Sequence, residues 1–141
     1  MKKYDLDNPI YIGTRTLYRV IYTDEFIAAY KERYDDIVNK IGGYIESEKN
    51  LSQDGYALIL DEAKVMNSAV VTGHARVTGH AVVTDNAVVT DNAVVTGHSR
   101  VSGNGVVCNH ARVSGYSWVR DNVRIDKDTM IVNVVISEEV K

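Results

Sequence analysis

The sequence predicts a mainly β fold: a parallel β-solenoid of about four coils behind a short N-terminal α/β cap that contains one amphipathic helix. Three observations predict it. From Val65 onward every sixth residue is Val or Ile: Val65, Val71, Val77, Val83, Val89, Val95, Val101, Val107, Val113, Val119, Ile125 and Ile131. Two residues before each stands a small one in nearly every unit, from Ala63, Ala69 and Ala75 to Ala111 and Ser117, with Val123 and Thr129 the larger exceptions. Turn pairs such as Gly73-His74, Asp85-Asn86, Asp91-Asn92 and Gly103-Asn104 separate the units.

The physical reading follows from the period of two in a strand. In Ala-x-Val the Ala and Val point to one side and the neighbours of Val to the other. Gly, Asn, Asp and His at each turn suit left-handed or bridge backbone conformations. A strand of about four residues cannot bury its apolar side alone, so successive strands must coil and stack. Residues 63–134 supply twelve six-residue sides, and three sides per coil make a triangular prism about 19 Å tall.

The chain divides into a leader or cap at 1–62, the solenoid at 63–134 and a C-terminal cap or tail at 135–141. In the leader, Ile10, Ile12, Leu17, Val20 and Tyr22 alternate enough for one or two strands. Phe26, Ile27, Tyr30, Tyr34, Ile37, Val38 and Ile41 then recur at helical spacing, which predicts a helix over about 24–41. Thr23 or Asp24 is its N-cap and Gly42-Gly43 its stop. At the far end, Ile131–Val140 is expected to close the prism or to swap onto a neighbour.

Residues eighteen apart should stack on the prism. The first side carries Val70, Val88 and Val106 beside Thr72, Thr90 and Cys108. The second presents Lys64, Val82, Arg100 and Trp118, and the third Arg76, Val94, Arg112 and Met130. The first is the least polar, so Val70, Val88, Val106, Thr72 and Thr90 form the candidate face for self-association or docking. On the edges, Ser68, Asn86, Asn104 and Asn122 line up, as do His74, Asn92, His110 and Asp128. His80 and His98 stack with Tyr116 next in line, and two imidazoles one rung apart are the sharpest metal candidate. The blander role, a turn residue in the slot that Asn fills elsewhere, is the favoured one, and no metal or other cofactor is expected.

The unbroken Ala-x-Val hexads resemble the hexapeptide-repeat family of left-handed parallel β-helices, and the left hand is taken from that resemblance. The leader segment Gly42-Gly43-Tyr44-Ile45, running through Asn50-Leu51-Ser52 into the repeats, resembles a group of such proteins found in phages and prophages. The stretch from Thr23 to Ile41 is longer than that group's usual connector. This makes the helix a candidate binding element of this chain, with Tyr30, Glu32, Tyr34, Asp35 and Asp36 as its contact residues.

Hexapeptide-repeat families include acyltransferases and zinc hydratases, which implies two enzymatic readings. Such transferases hang a His base on a loop thrown out from the prism, and residues 63–134 hold register without an insertion. The hydratases gather three imidazoles, whereas His74, His80, His98 and His110 are spread over two edges. Cys108 sits in a Thr slot with no sequence logic for a reactive thiolate. The expectation is therefore a non-enzyme: a phage-type protein-binding module that acts on a host complex, as an inhibitor of a defence assembly such as a CRISPR effector. A self-assembling structural protein and an acyltransferase-like enzyme are the alternatives.

Charge narrows the partners. The chain has 16 Lys+Arg against 19 Asp+Glu, so direct nucleic-acid binding is not expected. The start of the chain, Met1–Asp7, has no apolar signal run, and no window approaches a membrane span. One cysteine permits no internal disulfide. A cytoplasmic homo-oligomer, dimer or trimer, with a protein partner is the expected state.

Overall fold

The computed structural model describes residues 2–137. Stacking at eighteen residues is what it contains. Lys64 pairs with Val82, Val82 with Arg100 and Arg100 with Trp118, all in parallel register. Val70, Val88, Val106 and Arg124 pair likewise on the first side, and Arg76, Val94, Arg112 and Met130 on the third. Inside, the Ala and Val columns are withdrawn completely from solvent. Each buried Val side chain contributes on the order of 1.5–3 kcal/mol, repeated rung after rung, which is why so short a strand persists.

The left-handed backbone falls on the first residue of each turn pair: Gly73, Gly79, Asp85, Asp91, Gly97 and Gly103 all have φ between 59° and 71°. The histidines stand second in their pairs and do not adopt it. Their place is thus not explained by dihedral tolerance, contrary to the sequence expectation. Asp85 shows how a residue with a Cβ is accommodated: its carboxylate accepts from Gly103 N, one coil on, at 2.9 Å. Gly97 uses the other solution, since a Cβ there would lie 2.9 Å from the backbone of Gly115.

The stack begins earlier than the Val series indicates. Leu58–Ile59 pairs with Arg76–Val77, Leu51 bridges to Val71, and Tyr44–Ile45 pairs with Lys64–Val65. Ala57-Leu58-Ile59 is itself a copy of the repeat, and only the loop over 52–56 interrupts the six-residue step. At the other end Val135–Ile136 pairs with Trp118–Val119 after a coil one residue short. Residues 135–136 are accordingly another rung rather than a tail, and the solenoid reaches past 63–134 on both sides. The remainder of the expected C-terminal cap, 138–141, lies outside the described residues.

The leader opens with β1 (Tyr4–Ile12) and β2 (Arg15–Tyr22), an antiparallel hairpin whose tip holds Gly13 at φ 60°. Then come α1 (Asp24–Tyr34) and β3 (Ile41–Ile45). Strand β2 pairs antiparallel with β3, which runs parallel to Lys64–Val65, so the hairpin prolongs the second side into an eight-stranded sheet. Close approach here demands glycine: a Cβ on Gly43 would meet Ala63 O at 2.6 Å.

Helix α1 is shorter than predicted, ending at Tyr34 and not at Ile41. Thr23 caps its start by accepting from Phe26 N at 3.2 Å. Its end is made by Asp35, which turns left-handed at φ 52° and donates its N–H to Lys31 O. Asp is among the few side chains that tolerate that conformation, so the helix stops well before Gly42. Val38 is buried beyond it, while Ile37 and Ile41 remain exposed.

Three polar devices close the first coil. The Tyr22 hydroxyl donates to Ile59 O and accepts from Ile59 N, both at 2.9 Å, in place of a neighbouring strand. The Tyr4 hydroxyl donates to Leu51 O. The buried Asn50 amide donates to Asn67 O and Ala69 O, and its oxygen accepts from Glu46 N and Ser47 N. Unpaired strand edges at this end are thereby satisfied.

Candidate functional site

The Val70, Val88 and Val106 column exists as expected, flanked by Thr72 and Thr90, and each of these five residues is partly exposed. The leader adds a rung at the head of this side, where Leu51 bridges to Val71 and Asn50 donates to Ala69 O. Its aromatic residues Tyr22, Phe26, Tyr30 and Tyr56 share a core with Leu58, the first rung of the third side, and Tyr34 and Tyr56 reach His74 on the adjoining edge.

Most of the helix residues expected to meet a partner are engaged in this docking. Tyr30 is buried at 6% exposure inside the aromatic cluster. The Tyr34 hydroxyl lies 2.6 Å from His74 Nδ1. Asp35 is the helix cap and pairs with Lys31 at 3.3 Å. Asp36 lies past the helix and faces Arg76 at 3.8 Å. Glu32 is exposed. Asp35 and Asp36 thus serve to end and fasten the helix.

His80 and His98 stack with ring centroids 4.9 Å apart and planes within 1°, and Tyr116 continues the pile at 4.9 Å and 6°. Parallel rings hold their in-plane nitrogen lone pairs parallel. A shared ion at about 2.0–2.1 Å from each nitrogen needs lone pairs that converge. Aromatic stacking is therefore the interaction this column makes. Among the described residues no group of three or more His, Cys, Asp and Glu side chains is placed to hold a metal ion. Cys108 is buried although its slot faces outward, and burial pushes its thiol pKa up, away from the thiolate that nucleophilic chemistry needs.

A shallow cleft of about 580 Å³ is lined by Arg19, Asn39, Lys40, Ile41, Asp61 and Glu62. Its charged groups are already paired: Arg19 with Glu62 at 3.0 Å, Lys40 with Asp24 at 3.3 Å, and Asp61 with Gly79 N at 3.1 Å. Among these charged groups, Arg19 Nε is buried without a hydrogen-bond partner in the described residues.

The most exposed apolar cluster lies on the last coil, in the stretch from Ile131 that the sequence assigns to closing the prism or swapping onto a neighbour, together with Met130 and Tyr116. Met130, Val132, Val134 and Val135 are 68%, 50%, 44% and 60% exposed, and Tyr116 is 72% exposed. Register makes them one surface across the edge between the third and second sides. Met130 stacks on Arg112, Val132 on Ser114 and Val135 on Trp118. Asn133 accepts from Tyr116 N at 2.9 Å, and Val134, next in the chain, donates to Ser117 Oγ at 3.3 Å and accepts from Trp118 N at 3.0 Å. Trp118 donates to Ser102 Oγ at 2.7 Å, with Arg100 and Arg120 over its ring at 5.8 and 4.5 Å. The strands of this last coil have no neighbour on their outer edge among the described residues. A signal for it was present: the outward slot after the interior residue, Thr, Ser or charged in most earlier rungs, becomes apolar at Val132, and the six-residue step shortens between Ile131 and Ile136.

No helix among the described residues is long and apolar enough to cross a membrane. No protein-family model matches the chain, and no curated protein matches it either.

Proposed function

We propose that the chain is a non-catalytic protein-binding module that docks through its last coil. One observation carries this reading: Met130, Val132, Val134, Val135 and Tyr116 form a contiguous exposed apolar surface on a rigid parallel stack. Surfaces of that kind mark interaction sites, and Tyr, Trp and Arg are the residues that most often dominate binding energy. The closed first coil supports the same end as the working one. In its finer form, the resemblance of the leader to phage and prophage proteins assigns the partner to a host defence complex, such as a CRISPR effector.

Affinity capture tests the site, with Val88→Asp as the comparison. Val132→Asp is expected to lose the captured partner and Val88→Asp to keep it. The opposite pattern sinks the assignment and restores the Val70 column. For the finer form, expression of the chain should restore phage plating on cells that carry the effector, and unchanged plating rejects it.

A further inference from the structure

We propose that the last-coil surface takes an acidic, partly apolar segment of a partner protein, an inference that rests on the binding reading above. The arginines point to it. Arg15, Arg19, Arg76, Arg120 and Arg124 each face a carboxylate, and Arg33 donates to the Tyr34 hydroxyl. Arg100 and Arg112 are the two arginines with neither kind of partner among the described residues, and both are exposed. They also bracket the apolar strip: Arg112 lies one rung from Met130, and Arg100 one rung from Trp118, which pairs with Val135. An exposed guanidinium presents a planar fork that matches a carboxylate, and the strip between the two forks offers apolar contact.

The arrangement disfavours two other occupants. Single-stranded nucleic acid stacks its bases on free aromatic faces. Here Trp118 already has guanidiniums over it, and Tyr116 gives one of its two faces to His98, so no row of free rings is offered. A second copy meeting this surface with its own would bring unpaired arginines against arginines, a like-charge contact that costs affinity.

Trp118 is the single tryptophan of the chain, so its fluorescence reports on this surface alone. Three probes are titrated against the full chain: a synthetic peptide alternating Glu and Val, its Gln-for-Glu counterpart, and an oligothymidylate of similar length. The Glu peptide is expected to saturate the signal and to weaken as salt is raised. R100E and R112E should each weaken it at least about tenfold, with unchanged melting temperatures because both side chains are exposed. Calorimetry repeats the titration where a substitution alters the emission itself. Equal binding of the Gln peptide, binding of oligothymidylate instead, indifference to both arginine changes, or no response to any probe overturns the proposal. So does an increase of about tenfold in peptide affinity on replacing Glu138 and Glu139 with Gln, which would make the chain's own carboxylates the occupant. A dimer that dissociates on Val132→Asp would assign the surface to a second copy. If capture still depends on Val132 while the Glu peptide fails, the acidic chemistry falls alone; if both fail, the binding reading falls with it.

Discussion

Lys3 is a side chain outside the repeat whose burial costs the fold stability. It is fully buried, and its ammonium lies over the Phe26 ring at 5.4 Å without a hydrogen-bond partner among the described residues. Burial lowers its pKa to about 8, against an ordinary 10.5. Below pH 8 both folded and unfolded chains hold the proton, and the folded state bears the full cost of the buried charge. Between pH 8 and 10.5 the unfolded chain binds more protons, so stability rises, by roughly 3 kcal/mol in all. Burial raises the pKa of Tyr4 and Tyr22, which opposes the gain once pH passes the ordinary tyrosine range. Denaturant unfolding from pH 7 to 10 should therefore show increasing stability, and Lys3→Met should be more stable at pH 7 with that slope removed. An unchanged slope would mean Lys3 reaches water. At the turns, Asp85→Ala loses the bond to Gly103 N and strains a left-handed position, at a cost of about 1–2 kcal/mol. Asp85→Gly should cost less, because the strain is absent. Equal losses for the two would remove backbone conformation as the reason for Asp at this turn.

At the scale of elements, the repeat was legible because every rung solves the same packing problem, so Val at each sixth position is required again and again. The first coil was not legible. Ile45, Leu51 and Ile59 serve as its interior residues, but the 52–56 loop breaks their phase, and what closes it is a set of hydroxyl and amide contacts between segments distant in sequence. The end of α1 was misread for a related reason: Gly42-Gly43 looks like the stop, yet Gly42 answers the close approach of β3 to Ile59 and Tyr22, Gly43 that to Ala63 and Ile59, and Asp35 does the stopping. The candidate site divides in the same way. The stacking of His80 on His98 could be read from spacing, but the parallel ring geometry that makes a shared metal unfavourable could not. The role of Tyr22 gives the sharpest test here. Tyr22→Phe leaves the N–H and C=O of Ile59 unpaired in a buried setting and should cost about 2–4 kcal/mol. Tyr34→Phe, at an exposed hydrogen bond to His74, should cost under about 1 kcal/mol. Comparable losses from the two would show that the hydroxyl of Tyr22 does not close this edge.

For the whole molecule, the two ends decide whether a stack of identical rungs stays finite. A parallel solenoid is a template for its own continuation, because each exposed coil offers paired-ready backbone to the next. The last coil offers such edges on all three sides among the described residues. The first coil does not: the hairpin occupies the second side, Tyr22 the third and Tyr4 the first. Strand β1 then becomes the outer edge, and it carries Asp5, Asp7 and a bulge at Asn8-Pro9, features that resist pairing with another strand. Head-to-tail growth is thus blocked at the head. Light scattering of the intact chain should give a particle whose mass does not climb with concentration. A variant lacking residues 2–40 uncovers the first coil and should show open-ended, concentration-dependent growth, with Pro introduced at Val132 to block the tail as the control that stops it. Open-ended growth of the intact chain would instead support the self-assembling alternative, and a leaderless variant that stays monomeric would show that the leader's contacts are not what limits the stack.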